Sequence, residues 1–513
     1  MSRIDNSFKS VTVGAFGLIL GYLINFITRR IFVHYLSIEY LGLNGLFFNI
    51  FSLLSFAELG IGTAITYSLY RPLAFGEIEK VKVLIRFFKK TNYIVGTFFL
   101  SAGLALTPFL LFILKDAPDI PHLKIYYMLY IVDIGIGYFI SYKRLLLYAD
   151  QKKYIDNAYR YGFDIIRYVS QIIVLITTRQ YFLYLFVVLV LNVVENLLLQ
   201  KRIDTLYPYL KEPVEGRLEE SDIKQIKKNV LGLISSRTGY ILVSGTDNLL
   251  IVRLVSLASA GIYGGYHMLI SAVTNVIGMF RFSILASIGN LVVEEEAEDH
   301  HQAFKNLDFF IAWLVGFCSI ALYVLMNPFI VLWLGSEYVF SNNIVFFLVL
   351  NFYLGGVLGS VRTFNESMGL FWFNRYKPLI EAAINLIASI WLAMKLGIIG
   401  IFIGTTLSMV LTSTWFEPYV LHRYGLKKSV LPYYLTLIGN TLITFGIGWV
   451  TLKVIGLVTI SNNLINFIIL VGVVGLIPNG IYFILLFKRK EFVYIAQIAQ
   501  AIMKPLKNGR NLG

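Results

Sequence analysis

The chain has 513 residues, 57% hydrophobic and only 14% charged, with a mean hydropathy of +0.71. A soluble domain carries about 25% charged residues, so the composition excludes an ordinary soluble fold and describes an all-α polytopic membrane protein. The net charge of +14 fits basic residues gathered in inner loops of a membrane protein, and nucleic acid is not expected as a partner. Cys318 is the single cysteine, so no internal disulfide can form.

Apolar runs of spanning length follow one another at 10–33, 41–69, 91–114, 124–147, 160–178, 181–199, 230–254, 261–292, 308–334, 343–367, 378–395, 398–420, 432–456 and 463–487. At roughly 20 residues per crossing, they predict about fourteen transmembrane helices. The first run, from about Val11 to Val33, is too long for the apolar core of a signal peptide and has no small-residue cleavage site. It reads as the first span. Span 5 carries Asp164 and Arg167 one turn apart, where a local ion pair is expected.

With the N-terminus inside, alternate connections face the cytoplasm. With bases at span ends counted to the adjoining segments, about 32 of the 44 Lys and Arg residues fall in inner segments, 8 within spans and 4 (Lys115, Lys124, Arg179, Lys395) in outer segments. This is the asymmetry of the positive-inside rule. An odd error in the span count would mix the charges, so an even count with both termini cytoplasmic is expected. The outer connections are short, down to Leu396-Gly397, and leave no room for an extracytoplasmic domain.

The polar segment 201–229, with Glu212-Pro213-Val214-Glu215-Gly216-Arg217, reads as a cytoplasmic linker. It separates an N-terminal lobe, 1–200 with spans 1–6, from a C-terminal lobe, 230–420 with spans 7–12. Two further spans follow within 421–487, and 488–513 is a basic cytoplasmic tail. Gly42-Leu43-Asn44-Gly45 at the start of span 2 recurs as Gly261-Ile262-Tyr263-Gly264 at the start of span 8, an offset of 219 (261 − 42). The same offset aligns Ser68 with Ser287 and Glu77 with Glu296. Repeated lobes of this kind are typical of secondary transporters. Two amphipathic segments, 77–88 and 492–503, are expected on the inner membrane surface.

No G-x-x-x-x-G-K-[ST] loop occurs, so the chain by itself does not use ATP. The six histidines are scattered; His300-His301 follow Glu294-Glu295-Glu296 in what reads as a solvated loop. No nucleophile–base arrangement is visible, and neither an enzyme, a metal nor a cofactor is expected. The informative residues are the bases inside spans: Arg29, Arg30, Arg167, Arg237, Arg253, Arg281, Arg362 and Lys453. Each costs about 2.5–3.5 kcal/mol at a bilayer centre. Arg29, Arg30, Arg253 and Lys453 lie near outer ends and can snorkel. Arg237, Arg281 and Arg362 lie in the inner halves of spans 7, 8 and 10, and at least two of them are expected to face a water-filled cavity. Arginine there suits phosphate, which it binds bidentately. Glu58, Asp133 and Asp247 lie near mid-membrane and either pair with bases or bind a coupling cation. Glycines in Glu58-Leu59-Gly60-Ile61-Gly62 permit bending, and Pro108, Pro328 and Pro478 are kink candidates.

The hairpin Tyr40-Leu41-Gly42-Leu43-Asn44-Gly45-Leu46-Phe47, with Phe56-Ala57-Glu58-Leu59-Gly60-Ile61-Gly62-Thr63-Ala64 and Tyr67-Ser68-Leu69-Tyr70-Arg71-Pro72-Leu73-Ala74, is similar to the first hairpin of capsule and exopolysaccharide flippases. Together with the span count and the intramembrane arginines, the chain resembles the Wzx-type polysaccharide flippases of the multidrug/oligosaccharidyl-lipid/polysaccharide (MOP) exporter superfamily. The resemblance implies a MATE-like fold, two pseudo-symmetric six-helix lobes plus two C-terminal helices, around a cavity open to one side at a time. It implies a bacterial cytoplasmic membrane and, as cargo, undecaprenyl-pyrophosphate carrying an oligosaccharide repeat unit of capsule, exopolysaccharide or O-antigen. H+ or Na+ would be the coupling cation, and polymerase and chain-length proteins the pathway partners. The family's cavity is lined mainly by spans 1, 2, 7 and 8, which points to Arg29, Arg30, Arg237 and Arg281; Arg362 rests on its charge alone. A drug/cation antiporter of the same fold would instead use Glu58, Asp133 and Asp247 as ion sites, and the excess of bases over acids within spans argues against it. A membrane enzyme of polysaccharide assembly is disfavoured by the short outer loops.

Overall fold

The computed structural model of the chain describes residues 3–55, 60–114, 120–224, 226–227, 230, 246–294, 297–457 and 462–494. Among the described residues the regular structure is helical throughout, with no strand. The helices are α1 (Arg3–Tyr35), α2 (Ile38–Leu54), α3 (Ile61–Phe75), α4 (Ile78–Leu106), α5 (Leu123–Ile140), α6 (Arg144–Ala149), α7 (Lys153–Thr178) and α8 (Tyr181–Leu206), then α9 (Leu257–Glu294), α10 (Ala297–Trp333), α11 (Asn342–Val357), α12 (Gly359–Ser367), α13 (Lys377–Leu396), α14 (Ile398–Leu411), α15 (Ser413–Val420), α16 (Leu431–Ile455) and α17 (Asn463–Leu486). Every expected span except the seventh coincides with helix; most of 230–254 lies outside the described residues. By length and composition, nine helical stretches among the described residues can cross a membrane.

Two expectations are corrected. The 41–69 run is not one helix. It divides into α2 and α3, and α3 starts after Gly60, whose φ of 86° is a left-handed conformation that glycine adopts without steric cost. The segment 77–88 is not a separate helix on the membrane surface. It is the first third of the continuous helix α4, and its apolar face, Val81, Leu84, Ile85 and Phe88, is buried against Ile65 and Leu69 of α3 and Leu146 of α6. An amphipathic stripe is satisfied by protein as well as by lipid, and here protein supplies the partner. Of the 492–503 segment only the part through Tyr494 is described; Phe492 sits edge-on to Phe483 of α17. Pro108 falls in the short helical turn that ends α4, whereas α10 and α17 run through Pro328 and Pro478.

The described chain packs as two compact units, Met1–Gly261 and Ile262–Gly513. In the first, α1 lies along α7, and α4 packs on α5, and α8 on both α5 and α7. Small residues set these approaches: a Cβ on Gly103 of α4 would stand 3.2 Å from Ile131 of α5, and one on Gly96 2.8 Å from Tyr138. Without water to drive association, close backbone packing and interhelical hydrogen bonds hold such bundles together. In the second unit α10 is central, touching α11, α12, α16 and α17. There α13 and α14 form a tight antiparallel pair across Gly397, tied by Asn385 Nδ2 to Thr405 Oγ1 at 3.0 Å. Asn351 of α11 joins α14 through Phe402 O (3.0 Å) and the Thr406 hydroxyl (2.7 Å).

Candidate functional site

The repeat found in the sequence meets itself in space. Gly42 of α2 lies against the carbonyl oxygen of Leu257, and Gly261 lies against the carbonyl oxygen of Ile38. A methyl group on either glycine would overlap the facing oxygen. Ile38 and Leu257 are related by the same 219-residue offset (257 − 38) as the glycines, so the start of α2 and the start of α9 cross about a local two-fold axis. Gly45, one turn on, is covered by Asn248, whose Nδ2 would stand 2.8 Å from a Cβ there. Asn44 in the same motif accepts hydrogen bonds from the hydroxyls of Tyr130 and Tyr181. Arg29 reaches this crossing from α1 and donates from NH2 to Gly261 O at 3.3 Å. Arg30 is exposed. Arg253 stacks its guanidinium 4.7 Å from the centre of the Phe112 ring.

The first unit buries a network of ion pairs. Arg144 joins Asp156 (3.2 Å) and Glu195 (2.6 Å), and Arg167 joins Asp164 (2.5 Å) and Glu195 (3.2 Å). The Asp164–Arg167 pair is the one expected from spacing. Glu195, the bridge between the two arginines, escaped the sequence reading although it lies inside span 6; its presence there was the available signal. Asp133 accepts both hydrogen bonds from the Asn192 amide, at 2.7 and 3.0 Å. Asp247 is buried beside Asn248. Glu58 lies outside the described residues.

In the second unit Arg281 of α9 and Arg362 of α12 have different surroundings. Arg362 donates Nε to Glu417 Oε2 at 2.8 Å and NH1 to Gly355 O at 3.2 Å. Glu417 also binds Lys377 Nζ at 2.6 Å, and Lys377 binds Glu381 at 2.6 Å. The Ser413 hydroxyl completes the chain by donating to Glu381 at 2.9 Å. Glu417 and Glu381 were not singled out from the sequence; the i,i+4 spacing of Lys377 and Glu381 was the signal for one of them. Among the described residues Arg281 makes one side-chain bond, from Nε to Thr363 Oγ1 at 3.2 Å, with its aliphatic stem laid over Gly359. Among the described residues no carboxylate lies within ion-pairing distance of it. Arg237 lies outside the described residues.

No family model and no curated protein matches the sequence. Solved structures do match the fold. A lipid II flippase, MurJ, in an inward closed conformation superposes with a TM-score of 0.65 at 14% identity, covering 92% of this chain and 98% of that one. An inward-facing multidrug resistance MATE family transporter of the MOP superfamily gives 0.58 at 13% identity, covering 82% and 99%. A MATE transporter from Vibrio cholerae gives 0.52 at 14% identity, covering 83% and 99%. The chain therefore has the MOP/MATE-like membrane transporter fold, and at these identities the likeness is one of fold.

Proposed function

We propose that the protein is a flippase that moves undecaprenyl-pyrophosphate-linked oligosaccharide repeat units from the inner to the outer leaflet of a bacterial cytoplasmic membrane by alternating access. Capsule, exopolysaccharide or O-antigen assembly would be the pathway, with a polymerase and chain-length proteins acting on the product. Both termini are cytoplasmic in this reading. The observation that carries it is Arg281. A guanidinium held by one hydroxyl, with no carboxylate within ion-pairing distance among the described residues, keeps most of its donors for an anion, and pyrophosphate matches that fork. Arg29, Arg30 and Arg237 are assigned with it by their spans. Arg362 is already neutralised by Glu417 and is assigned to the scaffold. The full-length likeness in fold to a lipid II flippase supports a lipid-linked anionic cargo.

Polymer export in cells carrying Arg237→Ala and Arg281→Ala tests the assignment. The double variant should reach the membrane folded and export no polymer. Normal export by it would remove the arginine site. One observation favours a drug/cation antiporter as the second reading: Asp133 is held by an amide and, among the described residues, has no base within ion-pairing distance. H+ or Na+ bound there would couple transport in either reading. Resistance to cationic drugs in an overexpressing strain, lost in Asp133→Asn, would select the antiporter.

A further inference from the structure

The first unit contains a cavity of about 1100 Å3 whose walls come from α2, α3, α4, α5, α6 and Lys153. Small-molecule sites are typically about 300–1,000 Å3, so the space exceeds what one monosaccharide needs. It is open to the surface, with Phe48, Tyr67 and Tyr70 exposed along its walls. Aromatic rings, among them Phe48, Phe51, Tyr67 and Tyr148, alternate with hydroxyls and an amide. The charged groups that line it are Arg144 and Lys153, and among the described lining residues there is no carboxylate.

Asn92 is the most informative wall residue. It is 4% exposed, it lines the cavity, and it has no hydrogen-bond partner among the described residues. Its amide atoms open on the cavity, where they remain available to a ligand. Ser52, Ser141 and the hydroxyls of Tyr67 and Tyr70 are likewise without protein partners among the described residues. Arg144 is fixed by Asp156 and Glu195, so its position is set before any ligand arrives.

We infer that this cavity is a glycan subsite that takes the sugar headgroup of the cargo, with preference for a sugar bearing a carboxylate or phosphate. Pyranose rings present C–H faces that pack on aromatic rings and hydroxyls that pair with Asn92 and the free serines. Arg144 is neutralised by Asp156 and Glu195, so Lys153, with no carboxylate in ion-pairing distance among the described residues, is the cation that selects an acidic substituent. The inference rests on the flippase reading and adds to it a contact for the sugar that the first unit makes by itself.

Full-length protein in lipid nanodiscs, applied to an array of lipid-free bacterial oligosaccharides, tests it. The array carries neutral, uronate-bearing and phosphate-bearing members. Retention should favour the acidic members over their neutral counterparts by tenfold or more. Asn92→Leu and Ser52→Ala should each lower retention at least tenfold, and Gly446→Ala, in open space on α16, should leave it unchanged. No retention of any member, or equal retention by Asn92→Leu of unchanged thermal stability, overturns the subsite. The flippase reading is judged separately, by translocation of a polyprenyl-diphosphate oligosaccharide in proteoliposomes, which Arg281→Ala should abolish.

Discussion

Gly42 and Gly261 each lie under the other helix's carbonyl oxygen, Gly42 under Leu257 and Gly261 under Ile38. The crossing is therefore intolerant of a side chain at two repeat-equivalent positions. Gly42→Ala and Gly261→Ala should each destabilise the structure by about 1–3 kcal/mol, the usual cost of overpacking a close contact. Because the sites touch, the double variant should depart from additivity. Gly446→Ala, in open space on α16, is the control and should cost nothing in thermal unfolding. Equal melting temperatures for Gly42→Ala and Gly446→Ala would contradict the crossing.

Glu195 bridges two arginines while 3% exposed. Removing one member of a buried ion network leaves uncompensated charge and costs about 3–5 kcal/mol. Glu195→Ala should therefore lower the unfolding midpoint strongly. Asp164, more exposed and bonded to Arg167 alone, should cost about 1 kcal/mol or less on truncation. The reverse order in denaturant titrations would sink the network.

Arg362 and Arg281 should separate by phenotype. Arg362→Ala strips a partner from Glu417 and should reduce stability by about 3–5 kcal/mol, with export falling only as folded protein falls. Arg362→Met combined with Glu417→Gln should regain part of that loss. Arg281→Ala should change stability by less than about 1 kcal/mol and abolish export. Folded protein per cell, measured beside polymer output, distinguishes the two.

Gly60 begins α3 in a left-handed conformation. Gly60→Ala should cost about 1–2 kcal/mol through the Cβ clash of that region, and Gly60→Asn should cost less because Asn visits it more readily. A thermal shift series over the three variants checks the order.

Long apolar runs made most helices visible in the sequence, because twenty residues without charge have few places to go but lipid. The interruptions were less visible. Gly60 is legible as a bend, and the division of the 343–367 run at Leu358 between α11 and α12 falls between Gly356 and Gly359, glycines that the reading of the sequence left unused. The amphipathic face of 77–88 was read correctly as amphipathic and assigned the wrong partner, since the pattern records that a face is buried and not against what. Local charge pairing was legible for Asp164 and Arg167. Glu195 lies 51 residues from Arg144 and Glu417 lies 55 residues from Arg362, and a lone sequence holds no record of such pairings. The cavity around Asn92 was not legible at all, because its walls come from six helices.

The crossing at Gly42 and Gly261 also bears on origin. A contact in which residue i of one element meets residue j of another, while j of the first meets i of the second, is the isologous contact of a symmetric homodimer. A half-length ancestor carrying one such glycine would have made this contact between two separate copies, and every substitution there would have struck both sides at once. Fusion of two such copies into one chain would have freed each side to vary alone; at this crossing both positions are glycine.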